Sequence, residues 1–280
     1  MGKLLKYELK KSTGYFLYLI LGALVTSALL ILGFKSLTGD NLTDTQSMNY
    51  PGLAFPLTMI VSIILATAVA IAFVFYVVTN YKRDLYRDES LLKFSLPIDG
   101  KDFLKSKLIN ITIWTVILYV IIIFGTFFLS KFIIPNIHKE IAYAINEALS
   151  VANLNISHFI FIVVLKFLQT IFSFIMLYFS ITFTKAAFKD SKSGILWFLI
   201  YLGISAVLSI ISYYMNLFIP YRLEFYNKIQ LVERSLDMLG NLAPQTLILS
   251  FNLASAIFYT IITLAFFYST IYMLDNKVDL

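Results

Sequence analysis

The sequence predicts an all-α, polytopic membrane protein with six transmembrane helices and both termini in the cytoplasm. Three observations carry this. Of its 280 residues, 59% are hydrophobic and only 14% charged, whereas soluble domains carry roughly 25% charged residues. Six segments each supply the roughly 20 apolar residues, at about 1.5 Å rise per residue, that a helix needs to cross the hydrocarbon core. The basic residues are also shared unequally between alternate loops.

The six segments are 15–34, 55–79, 108–130, 159–183, 194–219 and 246–274. Five contain no charged residue, and the fourth contains Lys166. The last two exceed what the bilayer requires, which implies tilt or a break. Of the 22 Lys and Arg residues, 15 lie on the side of the N-terminus and six on the other, with Lys166 between. The positive-inside rule therefore places the N-terminal side in the cytoplasm, and an even number of spans returns the C-terminus to it. Lys3, Lys6, Lys10 and Lys11 before an apolar run are reminiscent of a signal peptide. The run is longer than a signal core and lacks a small-x-small cleavage site, so it reads as a retained span.

The segments outside the spans carry helical patterns of their own. Residues 1–13 read as an amphipathic interfacial helix, with Leu4, Leu5 and Leu9 toward lipid and the lysines toward anionic headgroups. A basic anchor that only sets topology is the alternative. In 223–239, Phe225, Ile229, Val232, Leu236 and Leu239 recur at helical spacing, with Glu224 and Lys228 as an i,i+4 pair. This predicts an extracellular helix within 220–244. Ile137, Ile141, Ile145 and Leu149, after Pro135, predict a shorter one between spans three and four. No internal repeat or low-complexity linker interrupts the chain, which reads as one domain, 1–280.

Chemistry-bearing motifs are few. No G-x-x-x-x-G-K-[ST] occurs, so the chain has no ATPase signature of its own. There are 0 Cys and 2 His, His138 and His158, both at or beyond the outer interface. No catalytic residue and no metal site follow from that set. No Asp or Glu lies in the six segments, which weighs against proton-coupled transport. Lys166 sits about 10 Å from the outer end of its segment. It either snorkels to the interface or lines a substrate path.

Residues 80–107 form the most informative stretch. Seven basic residues are interleaved with Asp84, Asp88, Glu89, Asp99 and Asp102. A lipid-binding tail would be one-signed, whereas mixed charge suits a protein contact that needs register. Leu85, Leu91, Leu92, Phe94 and Leu96 would be its apolar anchors. Pro97, Asp99 and Gly100 mark a turn, after which Asp99 caps a helix running through Phe103 and Leu104 into span three. A solvated basic loop that merely enforces topology is the competing reading.

Within this stretch, RDLYRDESLLKFSLPIDGKDFLKSKL (83–108) resembles the permease subunits of ABC-2 type, ABCG-like transporters, in their bacterial exporter branch. The matching features are the acidic pair Asp88 and Glu89, the Phe94-Ser95-Leu96-Pro97 turn, and the basic helix from Lys101 to Leu108. The six-span layout and the N-terminal KLLKYELKK also match. The resemblance implies that 80–107 is a coupling loop docking on a separate cytoplasmic ABC ATPase, with Arg83, Asp84, Leu85, Arg87, Asp88, Glu89, Leu92 and Phe94 at the contact. It implies ATP and Mg on that partner, no cofactor and no enzymatic activity on this chain, and a second permease subunit completing a homodimer or heterodimer. It implies export of antimicrobial or toxin peptides, antibiotics or lipids across the bacterial cytoplasmic membrane. Membrane lipid is the other partner, and no nucleic acid is involved. The alternative function is an ion-coupled secondary transporter or channel working without an ATPase.

Overall fold

Uninterrupted apolar runs free of interior proline breaks fold as long helices, because in a medium without water each backbone N–H and C=O must be satisfied within the segment. A computed structural model describes residues 2–38, 54–86, 99–133, 156–188, 195–219, 221–225, 229–233 and 249–276. Six helices are present among them: α1 (Gly2–Thr38), α2 (Ala54–Tyr86), α3 (Gly100–Ile133), α4 (Ile156–Ala187), α5 (Leu196–Phe218) and α6 (Leu253–Asn276). All six are long and apolar enough to cross a membrane. Each also exposes large apolar side chains, among them Tyr18, Ile64, Phe124, Leu168, Ile210 and Ile261 on successive helices. So much outward apolar surface is consistent with lipid as the surrounding solvent.

The helix boundaries refine the expected spans. Helix α1 runs unbroken through Gly14, so residues 2–13 continue the helix of the first span. Its 37 residues reach about 55 Å, well beyond the roughly 30 Å hydrocarbon core. Helix α3 begins at Gly100, as the turn at Asp99 predicts, and continues without interruption into the third span. The Asp99 carbonyl accepts from the N–H groups of Asp102 and Phe103 at 3.0 Å each.

The extracellular helix expected over 220–244 is not formed where that segment is described. Tyr221–Phe225 (β1) and Ile229–Glu233 (β2) pair as antiparallel strands, and Leu249–Asn252 (β3) pairs on the other edge of β1. The order is β2-β1-β3. The sixth helix accordingly begins at Leu253, not at 246. The reason lies in the sequence itself. Leu223, Phe225, Ile229 and Leu231 also satisfy a period of two, and the register sets Leu223 opposite Leu231 and Phe251, and Phe225 opposite Ile229 and Leu249. Ladder hydrogen bonds to a third strand tip a segment that fits both periodicities toward the sheet. Residues 234–244, and the helix expected around 137–149, lie outside the described residues.

The chain divides into two compact units, Met1–Asn80 with Lys105–Tyr143, and Tyr81–Leu104 with Ala144–Leu280. In the former, Phe16 is fully buried, stacked on Trp114 at 4.6 Å between ring centroids and edge-on to Tyr76 at 5.1 Å. Tyr15 stacks on Tyr76 and donates its hydroxyl to the Ala72 carbonyl at 2.8 Å. Helices α1 and α2 approach closely at Gly33, where a Cβ would fall 2.7 Å from the Thr58 hydroxyl. Small residues at such crossings are the usual basis of packing between helices in lipid.

In the latter unit α4 packs against both α5 and α6. Phe179 stacks on Phe266 at 4.5 Å, and Phe172 meets Tyr259 edge-on. Buried hydroxyls on α4 bond back into the helix, Ser180 to the Met176 carbonyl and Thr184 to that of Ser180. This satisfies them without a polar neighbour. Asn252 ends β3 and caps α6. Its side-chain oxygen accepts from Ser255 N–H at 2.9 Å, and its amide donates to the Ile219 carbonyl at the end of α5.

Candidate functional site

The described residues on either side of 87–98 are fixed within one compact unit, and this anchoring defines the candidate site. At the descending end, the last turns of α2 lie on α4. Tyr81 is fully buried, its ring stacked on Tyr178 at 4.1 Å and its hydroxyl 2.7 Å from that of Thr182. Phe103, from the start of α3, closes on the same ring at 5.9 Å. Asp84 and Leu85 are buried, and the Tyr86 hydroxyl reaches the Ile181 carbonyl at 3.5 Å.

At the ascending end, Gly100 N–H donates to Asp275 Oδ1 at 2.7 Å. That bond joins the first residue of α3 to the last turn of α6. A Cβ at Gly100 would lie 2.5 Å from Asp275 Oδ1 and 2.8 Å from Leu274 Cβ. Only glycine leaves room at this position for the Asp275 carboxylate and the Leu274 Cβ. The chain is thus held by aromatic stacking at Tyr81 and by a charge-assisted hydrogen bond at Gly100.

Of the residues assigned to coupling from the sequence, three lie within the described structure. Asp84 and Leu85 face the interior, so their part in any contact is to hold the loop's foot. Arg83 is half-buried, and its Nε is buried without a hydrogen-bond partner among the described residues. Arg87, Asp88, Glu89, Leu92 and Phe94 lie outside the described residues. Lys166 is exposed on α4, donating to Gln169 Oε1 at 3.3 Å. The structure does not bring it together with the loop residues by any hydrogen bond or ion pair among those described.

Sequence reasoning missed a second polar centre. In the unit formed by α1, most of α2 and most of α3, Lys107 Nζ and Glu8 Oε2 are 2.7 Å apart. Ser12 Oγ donates to Asn110 Oδ1 at 3.1 Å and accepts from Trp114 Nε1 at 2.7 Å. Glu8, Ser12, Lys107 and Asn110 are each no more than 1% exposed. The signal was present in the spacing. Glu8, Ser12, Phe16, Leu19 and Ala23 recur at helical intervals and form one buried face of α1.

An open groove of about 480 Å³ runs between α4 and α6, lined by Phe179, Phe183, Tyr268, Ser269, Tyr272 and Met273. It carries no charge. Among the described residues no cluster of metal-ligating side chains occurs. In comparisons with known proteins, no family model, no curated protein and no solved structure matches the chain.

Proposed function

We propose that the chain is the membrane-spanning permease subunit of an ATP-driven exporter whose ATPase is a separate polypeptide. The observation that carries this reading is the two-sided anchoring of the 87–98 loop. A loop held by Tyr81 on α4 and by Gly100 on α6 delivers force applied to it into two spans at once. A loop that only set topology would not need its feet buried. The mixed charges of 80–107 suit a protein as the source of that force, and the lysine-rich flanks support a cytoplasmic position for this side. The uncharged aromatic groove between α4 and α6 suits amphipathic or hydrophobic cargo, a peptide, antibiotic or lipid, as it offers area without ion pairing.

Co-purification from native membranes in mild detergent tests the class. Recovery of a stoichiometric P-loop ATPase is expected, and charge reversal at Asp88 and Glu89 should uncouple its hydrolysis from transport while leaving the permease folded. Unchanged coupling in that variant would remove the loop from the mechanism.

The buried Glu8–Lys107 pair favours a second reading, an ion-coupled transporter, since a buried acid beside a basic group is the usual apparatus of proton exchange. Proteoliposomes containing this chain alone decide between them. Uptake driven by a proton gradient without ATP would establish the second reading.

A further inference from the structure

The groove between α4 and α6 holds hydroxyls that the helices do not use. Serine and threonine inside a helix commonly bond back to a carbonyl one turn earlier. On α6, Thr260, Thr263 and Thr270 do so, to the carbonyls of Ala256, Tyr259 and Phe266. Ser269 does not, and among the described residues no hydrogen bond satisfies its hydroxyl or those of Tyr268 and Tyr272. All three side chains line the groove. Tyr272 lies about 6 Å from the end of α6 and Tyr268 about 12 Å. Tyr272 can reach interfacial water, whereas the short side chain of Ser269 cannot. A hydroxyl left unbonded in hydrocarbon is costly, so these groups point to a molecule that occupies the groove.

The opposite wall describes the body of that molecule. Phe179 and Phe183 stand on successive turns of α4, and their rings stack at 5.8 Å with 26° between planes. Phe179 continues the stack onto Phe266 at 4.5 Å and 20°. A flat ring laid on Phe179 and Phe183 gains attraction beyond its buried area. A flexible acyl chain gains none of this and loses more rotamer freedom on being ordered. No lining residue carries a charge, and neither Lys185 nor Asp275, near the same helix ends, is among them. An ion entering here would lose its hydration without meeting a counter-charge. The volume of about 480 Å³ falls within the range of small-molecule sites.

We propose that this groove is a binding site for an uncharged, planar aromatic molecule bearing carbonyl or hydroxyl groups, which enters sideways from the membrane. Its rings lie on Phe179 and Phe183, its polar edge meets Tyr268, Ser269 and Tyr272, and Met273 adapts to its outline. Met273 immediately precedes Leu274 and Asp275, which meet Gly100, so an occupied groove adjoins the anchor of α3. The site deepens the exporter reading, and rests on it only for the claim that the bound molecule is transported.

The full-length protein in phosphatidylcholine nanodiscs is dialysed to equilibrium against three probes built on one tricyclic frame. Anthraquinone has carbonyl acceptors, anthracene has none, and aminoacridine is a cation at neutral pH. Empty nanodiscs correct for partitioning into lipid. The expected result is saturable binding of one anthraquinone per chain, about tenfold tighter than anthracene, and no saturable binding of aminoacridine. The triple variant Tyr268→Phe, Ser269→Ala, Tyr272→Phe removes the hydroxyls and keeps the rings. Anthraquinone affinity should fall in it about tenfold, while that of anthracene stays unchanged and reports an intact groove. Phe183→Leu should weaken both about threefold. Absence of saturable binding overturns the proposal, as does undiminished anthraquinone affinity in the triple variant or equal affinity for aminoacridine. Equal loss of anthracene from the triple variant also overturns it, since the hydroxyls would then shape the groove and not the ligand contact. ATP-driven movement of anthraquinone is scored separately in inside-out membrane vesicles. Binding without movement upholds the site and counts against the exporter reading, whereas movement that the triple variant leaves unchanged overturns the site.

Discussion

Lys107 Nζ lies 2.7 Å from Glu8 Oε2, and both side chains are 1% exposed. Nearly a hundred residues separate them in the chain, yet the pair fixes the N-terminal turns of α1 to the helix that rises from the 87–98 loop. Ser12, Asn110 and Trp114 extend the link by hydrogen bonds.

Breaking this pair from one side leaves a buried charge behind. Glu8→Gln should destabilise the protein by about 3–5 kcal/mol, seen as a lowered midpoint of thermal unfolding in detergent. The double variant Glu8→Leu with Lys107→Met, which removes both charges, should recover most of that loss. If the single and double variants were equally unstable, the charges would not be the cause.

The Tyr81 hydroxyl and ring make separable contributions. Tyr81→Phe removes the bond to Thr182 and should cost about 1 kcal/mol. Tyr81→Ala also removes the stack on Tyr178 and should cost about 3–5 kcal/mol. The same unfolding measurement distinguishes the two, and equal losses would mean that the ring contributes nothing.

Gly100→Ala should separate coupling from folding. The added methyl group meets Asp275 and Leu274, so the start of α3 must move off α6 and its hydrogen bond is lost. Local anchoring weakens by about 1–3 kcal/mol. The amount of protein in the membrane should stay close to normal while transport, and stimulation of a partner ATPase, decline steeply. Asp275→Asn, which keeps an acceptor oxygen, should be far milder than Asp275→Ala.

Lys166 is exposed on α4, where its ammonium donates to Gln169 Oε1 at 3.3 Å. Lys166→Met should leave thermal stability within about 0.5 kcal/mol of the starting protein, or raise it. Transport should be unchanged. A pronounced fall in transport with stability intact would place Lys166 on the cargo path.

The legible part of this protein was the part dictated by one-dimensional constraints. Spans α1 to α6 follow from hydrocarbon thickness, and the start of α3 follows from the turn chemistry of Asp99 and Gly100. The segment 221–233 was not legible, as its apolar residues fit helical and strand spacing alike and only pairing with 249–252 decided between them. The burial of Glu8 was not legible for a related reason. An acidic residue among lysines near a chain end has the composition of an interface, whatever it packs against.

By itself the sequence determined that the chain has six segments long and apolar enough to cross a membrane, with a charged interruption between the second and third, because hydrophobic length and charge are additive along the chain. Only the tertiary structure decided that Glu8 and Lys107 neutralise each other, that Tyr81 and Gly100 anchor the two ends of that interruption to α4 and α6, and that Phe179 and Phe183 line one groove with Tyr268 and Tyr272. Those are relations between residues far apart in sequence. Their energies arise from distance and burial, which packing sets and no linear pattern contains.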